Sequence, residues 1–260
     1  TGCAWATVVV YCAMAAVGLW LLRHQAHYRP YGLWRRPERI DWQQMRGFAR
    51  LGVPAGLAVL VEVTSFTLMA LFIARLGTTA AAAHQIAANL TAVGYMVPLS
   101  LGIATTTRVS FWLGAGEPAK ARRVCRTGVL MTVAMALITS AAMAFWRDGI
   151  AALYSDNRSV ATAAAALLLA TAAYHLADAV QTVCVFILRS YRVTVAPLVI
   201  YCSLLWGGGL AGGFLLCYRG IGGVAPMNSP LAFWLAGGAA LWLTAILFGA
   251  LLWRTVRRSR

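Results

Sequence analysis

The sequence predicts an all-α integral membrane protein with seven transmembrane helices, and three observations carry that prediction. Hydrophobic residues make up 61% of the 260 residues and charged residues 11%, with a mean hydropathy of +0.72, well outside the range of an ordinary soluble domain. Apolar stretches of about 20 residues, the length a helix needs to cross the hydrocarbon core, recur along the chain between short polar segments. Lysine and arginine, finally, concentrate on alternate connections.

The spans are expected at about residues 2–22, 51–76, 82–113, 124–146, 160–188, 194–218 and 229–253. The first has no basic flank before it and a cluster of arginines from Arg23 to Arg50 behind it, the reverse of a signal peptide. The chain also begins at Thr1 inside an apolar run, which reads as a truncation. In the long connection that follows, Trp34, Ile40, Trp42, Met45 and Phe48 are interleaved with arginine. That pattern suits an amphipathic segment on an anionic leaflet and equally a solvated linker between two bundles.

The second span carries Glu62 near its middle. The third is long for one crossing and holds Pro98, whose missing amide and ring favour a kinked or tilted single span. Its polar residues His84, Gln85 and Asn89 suit hydrogen bonds to neighbouring helices or contact with a substrate, and Arg108 near its end can snorkel. The fifth span carries Asp178. In the sixth, the run from Trp206 to Gly213 contains two overlapping G-x-x-x-G spacings, a face for close helix packing. The seventh ends at the basic tail Arg254, Arg257, Arg258 and Arg260.

If the segment after the first helix is cytoplasmic, 18 of the 22 lysines and arginines lie on the inside, leaving only Arg75, Arg147, Arg158 and Arg219 outside. The rule that positive charge stays inside thus predicts seven crossings with a cytoplasmic C-terminus. The net charge of +15 does not imply nucleic acid, because no segment can build a basic soluble domain. The six cysteines form no C-x-x-C pair or Cys/His cluster, so neither zinc nor a disulfide framework is implied. No nucleophile, base or metal constellation supports an enzyme. A retinal protein needs a lysine within a helix, and the only one, Lys120, lies in a connection. A seven-helix receptor is left open but has no positive support.

Of the seven acidic residues, Glu38, Asp41, Glu117, Asp148 and Asp156 sit in connections, whereas Glu62 and Asp178 lie at membrane depth. A charge there costs at least about 2.5–3.5 kcal/mol on insertion scales and marks a functional site. With no Arg or Lys at similar depth, the pair must take up protons or a mobile cation. The alternative is a buried acid held by hydrogen bonds alone. Helical spacing puts Tyr174, His175 and Gln181 around Asp178, and Ser65, Phe66 and Met69 around Glu62. Carboxylate, aromatic and thioether groups together suit a cavity for amphipathic cations, although Phe66 and Met69 taken singly fit an ordinary core or lipid face as well.

Several of these runs resemble the multidrug and toxic compound extrusion (MATE) transporters of the NorM-like branch. They are Leu51-Gly52-Val53-Pro54 leading to Glu62, Ala82 to Asn89 with Val97-Pro98-Leu99-Ser100-Leu101-Gly102, Arg108-Val109, Leu113-Gly114-Ala115-Gly116, Tyr174 to Gln181, and Leu188-Arg189. The resemblance implies a twelve-helix transporter of two six-helix lobes. Residues 1–23 would then be the last helix of an N-terminal lobe, 24–50 a basic cytoplasmic linker and 51–260 the C-terminal lobe. It further implies a multi-pass inner-membrane antiporter that exports cationic amphipathic compounds in exchange for Na+ or H+ without a cofactor. Glu62, Asp178 and Tyr174 would hold the coupling ion, and Phe66, Met69, His84, Gln85, Asn89, His175 and Gln181 would line the substrate cavity. One departure is Ser190, where the family has glycine in Leu-Arg-Gly-Tyr, so the turn there is not fixed by the resemblance. A lipid-linked oligosaccharide flippase of the same superfamily is the alternative, but its pyrophosphate calls for a basic cavity and no span carries a central Arg or Lys.

Overall fold

A computed structural model of the chain describes residues 2–32, 41–223 and 225–258. Among them, seven helices are long and apolar enough to cross a membrane, as the sequence predicts. The chain divides into two compact units, Thr1–Arg46 and Gly47–Arg260.

The first unit contains α1 (Gly2–His24) and a short 3-10 segment, Ala26–Tyr31. The basic residues Arg23 and His24 occupy the last turn of α1, where the negative end of the helix dipole favours them. Trp34 and Ile40 of the interleaved stretch lie outside the described residues. Asp41 begins a new helix instead of continuing the connection: its Oδ1 accepts from the amides of Gln43 and Gln44 at 2.9 and 3.2 Å. These bonds to the charged form hold the Asp41 carboxyl below its ordinary value. The helix it caps, α2 (Trp42–Ala74), therefore starts well before residue 51.

The second unit is a bundle around α6 (Arg158–Ser190), the most buried helix. It packs most closely against α3 (Thr78–Gly114), α9 (Leu231–Arg258) and α4 (Pro118–Phe145). Helix α3 runs unbroken through Pro98 as a single span, whose ring is buried. A short helix, α5 (Arg147–Tyr154), fills the connection between α4 and α6, where the sequence suggested only a loop. The sixth span is built from α7 (Val195–Tyr201), a π-helical stretch over Cys202–Ala211 and α8 (Gly212–Tyr218). Such widened stretches are rare and concentrate at functional sites. Gly77 at φ 104° and Gly116 at φ 72° make the turns before α3 and α4, in the left-handed region that favours glycine. The turn after α6 is made by Arg192 at φ 60°. Ser190 stays helical and ties its hydroxyl to Thr106 and Ser110 of α3.

Association within lipid depends on close packing, since lipid tails are as apolar as leucine. Small residues accordingly occur along the buried face of α6, where Ala164, Ala172, Ala177 and Ala179 are all buried. Two apolar cores result. One joins Ala58 and Val61 of α2 to Ala177, Val183 and Leu188 of α6 and Leu241 and Phe248 of α9. The other joins Met69 and Ile73 to Ala164 and Leu168 and to Phe233 and Trp234. Between them, on α2 and α6, lie Glu62, Tyr174, His175 and Asp178, so the polar groups form a layer at the junction of two cores.

Candidate functional site

Glu62 and Asp178 occupy the middles of two 33-residue helices, α2 and α6, and one side chain joins them. The Nε2 of Gln181 donates to Asp178 Oδ1 at 2.9 Å and lies 3.5 Å from Glu62 Oε1. It also reaches Thr182 Oγ1 at 3.2 Å, and the Tyr201 hydroxyl donates to the amide carbonyl. Asp178 is 5% exposed and Gln181 fully buried. Among the described residues, no lysine or arginine forms an ion pair with either carboxylate; the two ion pairs present, Lys120–Glu117 and Arg147–Asp148, lie at the starts of α4 and α5. An amide satisfies carboxylate lone pairs but carries no net charge, so the negative charge at this depth is left without a fixed counterpart.

Helix α2 approaches its neighbours through side chains, and openings flank it. The larger, about 490 Å³, is lined by Val59, Glu62, Val63 and Phe66 of α2, by Gln85, Asn89, Tyr95 and Met96 of α3, and by Tyr174 and Asp178 of α6. The smaller, about 40 Å³, lies toward the π-helical stretch and α9 and is lined by Glu62, Ser65, Phe66, Met69 and Tyr174 among others. It has room for a few waters. Glu62, Phe66 and Tyr174 are common to both and form the partition between them. Behind the partition the rings pack edge to face, Phe66 on Tyr174 at 6.1 Å and Tyr174 on Trp234 at 5.3 Å between centroids, a favoured aromatic geometry.

The structure brings together Glu62, Tyr174, Asp178, Phe66, Gln85 and Asn89 around the larger opening, while Met69 borders the smaller one. His84, His175 and Gln181 line neither of these two openings. The reason is helix geometry. Gln85 and Asn89 share a face at i, i+4, whereas His84 is turned about 100° away, against the ring of Trp234 at 5.8 Å. Among the described residues, neither ring nitrogen of His84 has a hydrogen-bond partner. His175 turns from Tyr174 toward α4, where its Nε2 pairs with Thr139 Oγ1 at 2.9 Å, and Gly94 leaves room for its ring.

Sequence reasoning missed Tyr95, Met96, Trp234 and Tyr201. The first two extend the Gln85–Asn89 stripe by two more turns at i+10 and i+11, a signal present in the helical period. Tyr201 and Trp234 come from spans with no carboxylate to draw attention to them, and their partners are set only by the fold.

Seven helices long and apolar enough to cross a membrane, two of them carrying carboxylates beside an aromatic opening, define a polytopic α-helical membrane protein. The MatE family model matches residues 54–211, and the chain belongs to that family, whose members are transporters and not enzymes. It is 39% identical over 264 residues to the probable multidrug resistance protein NorM of Aromatoleum aromaticum, covering 100% of this chain and 56% of the relative. It is 35% identical over 255 residues to the multidrug resistance protein MdtK of Photorhabdus laumondii, covering 97% and 55%. The fold superposes on the eukaryotic MATE transporter AtDTX14 with a TM-score of 0.82 at 19% identity, over 97% of this chain and 56% of that one. The Vibrio cholerae MATE transporter VcmN gives 0.74 at 15% identity, over 85% and 49%. The chain thus spans about half the length of the relatives it matches, and it is a multi-pass membrane protein.

Proposed function

We propose that the complete protein containing this chain exports cationic, amphipathic drugs or toxic compounds in exchange for sodium ions or protons. The observation that carries this reading is the junction of Glu62 and Asp178 at one amide, beside an opening whose lining holds aromatic rings and methionine but no lysine or arginine. Two unneutralised carboxylates attract one cation at a time, whether coupling ion, proton or drug. Aromatic faces hold an organic cation, and methionine adapts to varied shapes. The same lining disfavours the pyrophosphate of a lipid-linked sugar.

Coupling follows from mutual exclusion. A cation arriving from outside occupies the pair and weakens the hold on a drug in the adjoining opening, and rocking of two lobes carries each to the opposite side. In this reading residues 1–23 are the last helix of a preceding lobe, 24–50 the cytoplasmic linker and 51–260 the second six-helix lobe. The protein lies in the inner membrane with its C-terminus in the cytoplasm, as the distribution of positive residues favours. Efflux of a cationic dye from cells expressing the full-length gene, with sodium and pH gradients imposed separately, tests the reading. Glu62→Gln and Asp178→Asn are expected to abolish gradient-driven efflux at unchanged expression. Parental efflux by both variants would reject the assignment.

A further inference from the structure

Gln181 is the best-connected side chain at the junction, yet it borders neither opening. Its position is a consequence of sequence: it lies one turn beyond Asp178 on α6, at i+3, and at 0% exposure its amide must find every partner within the protein. An amide has one carbonyl acceptor and an NH2 with two donors. The Tyr201 hydroxyl donates to the carbonyl. That contact fixes which way the amide faces and leaves the NH2 directed at Asp178 Oδ1 and Glu62 Oε1.

We propose that Gln181 is a positioning residue that competes with the coupling cation for these two carboxylates, and that Tyr201 sets this competition by holding the amide's orientation. The proposal rests on the reading of Glu62 and Asp178 as the coupling pair. A cation that bridges Glu62 and Asp178 through Oε1 and Oδ1 meets the amide hydrogens there, which present their positive ends to it. Such a cation binds by displacing the amide, and the amide returns as it leaves. This lowers affinity and assists release. A transport site has to bind well enough to load and weakly enough to empty. Two carboxylates at membrane depth with no such substitute would be left bare each time the cation departed, the costliest arrangement a bilayer interior offers. Thr182 Oγ1, 3.2 Å from the same nitrogen, gives the displaced amide a neutral acceptor close by.

The experiment uses the complete protein in proteoliposomes, with the half-saturating concentration of the driving cation and the maximal rate of dye transport measured separately. Gln181→Leu keeps the approximate volume and removes both donors. The half-saturating concentration is expected to fall about tenfold, equivalent to one charge-assisted hydrogen bond, while the maximal rate also falls because release slows. A side chain that merely supported the fold would lower the rate without tightening the cation. Tyr201→Phe leaves the amide but frees its carbonyl, and a smaller fall in the same direction is expected. Should Gln181→Leu fail to reach the membrane, Tyr201→Phe decides alone. An unchanged or raised half-saturating concentration in the variants that fold overturns the proposal. Glu62→Gln and Asp178→Asn are run in parallel. Loss of gradient dependence in either, with no tightening in the Gln181 and Tyr201 variants, removes the role of Gln181 and leaves the coupling pair standing. Gradient dependence that survives both Glu62→Gln and Asp178→Asn removes both.

Discussion

The contact between α3 and α4 at Gly128 allows a packing energy to be isolated. A Cβ placed on Gly128 would stand 2.3 Å from Thr105 Oγ1, 2.5 Å from its Cγ2 and 3.0 Å from its Cβ. Carbon atoms attract best at about 3.5–4.0 Å. A turn about χ1 moves Oγ1 and Cγ2 but not Cβ, and Thr105 at 6% exposure has little space to turn into. Gly128→Ala must therefore push the two helices apart by about half an ångström or distort one of them, at the ~1–3 kcal/mol typical of over-packing. Helix propensity acts oppositely, favouring alanine by roughly 1 kcal/mol. Gly249→Ala in α9, where nothing lies within 4 Å, carries that propensity gain alone, so the difference between the two variants reports the packing. Thr105→Ala removes the two nearest atoms and should restore most of the loss, a coupling of about 0.5–3 kcal/mol. Unfolding of the purified complete protein in a detergent titration measures Gly128→Ala, Gly249→Ala, Thr105→Ala and the Gly128→Ala/Thr105→Ala double variant. Equal stability of Gly128→Ala and Gly249→Ala, or a Gly128→Ala loss undiminished by Thr105→Ala, would refute the packing argument.

Three further outcomes are expected. Gly213→Ala should destabilise the pairing of α8 with α9, because its Cβ would meet Phe233 Cδ1 at 2.7 Å and the Phe233 backbone at 3.1 Å, whereas Gly212→Ala meets nothing within 4 Å and should be neutral or better; the same detergent titration separates them. Phe66→Ala opens the partition between the two openings and removes a ring from the wall they share with Glu62, so under the proposed function dye affinity should weaken by roughly 0.5–2 kcal/mol, read as an increased half-saturating dye concentration at unchanged expression. Asp41 caps α2 through its charged form, so its contribution is fully present above the ordinary carboxylate value of 3.8 and is lost as pH falls through its depressed folded value; amide exchange at Gln43 and Gln44 should accelerate in acid, and Asp41→Ser should make that protection independent of pH.

The spans were legible because lipid imposes length and composition on every crossing helix. Glu62 and Asp178 were legible for the same reason in reverse, since a carboxylate at that depth violates the rule for lipid. Less was legible where a choice between equivalent local patterns depended on a neighbour. The run ending at Gly213 offers two G-x-x-x-G registers, and the fold uses one: a Cβ on Gly209 would stand 3.4 Å from the Gly237 Cα and one on Gly213 2.7 Å from Phe233 Cδ1, while one on Gly212 would meet nothing within 4 Å. The sequence of that run does not contain α9 and could not decide. The π-helical stretch Cys202–Ala211 was hidden likewise, because apolar periodicity does not distinguish a widened turn within a short window.

The histidines and Gln181 show a second limit, one of angle. Spacing of three or four residues puts side chains near one another along a helix but spreads them over roughly 100° of arc. Tyr174 and Asp178 remain on the wall of the opening, whereas His175 turns to Thr139 and Gln181 to Tyr201. Proximity to a carboxylate in sequence therefore marks two different placements, on the wall of the opening and behind it. The partners on the other helices separate them: Tyr174 meets Phe66 across an opening, and Gln181 meets a hydroxyl that has no access to it. A polar side chain with a buried, directional partner on a third helix is constrained in orientation, and constraint is what a group needs if it is to compete with a cation rather than follow it.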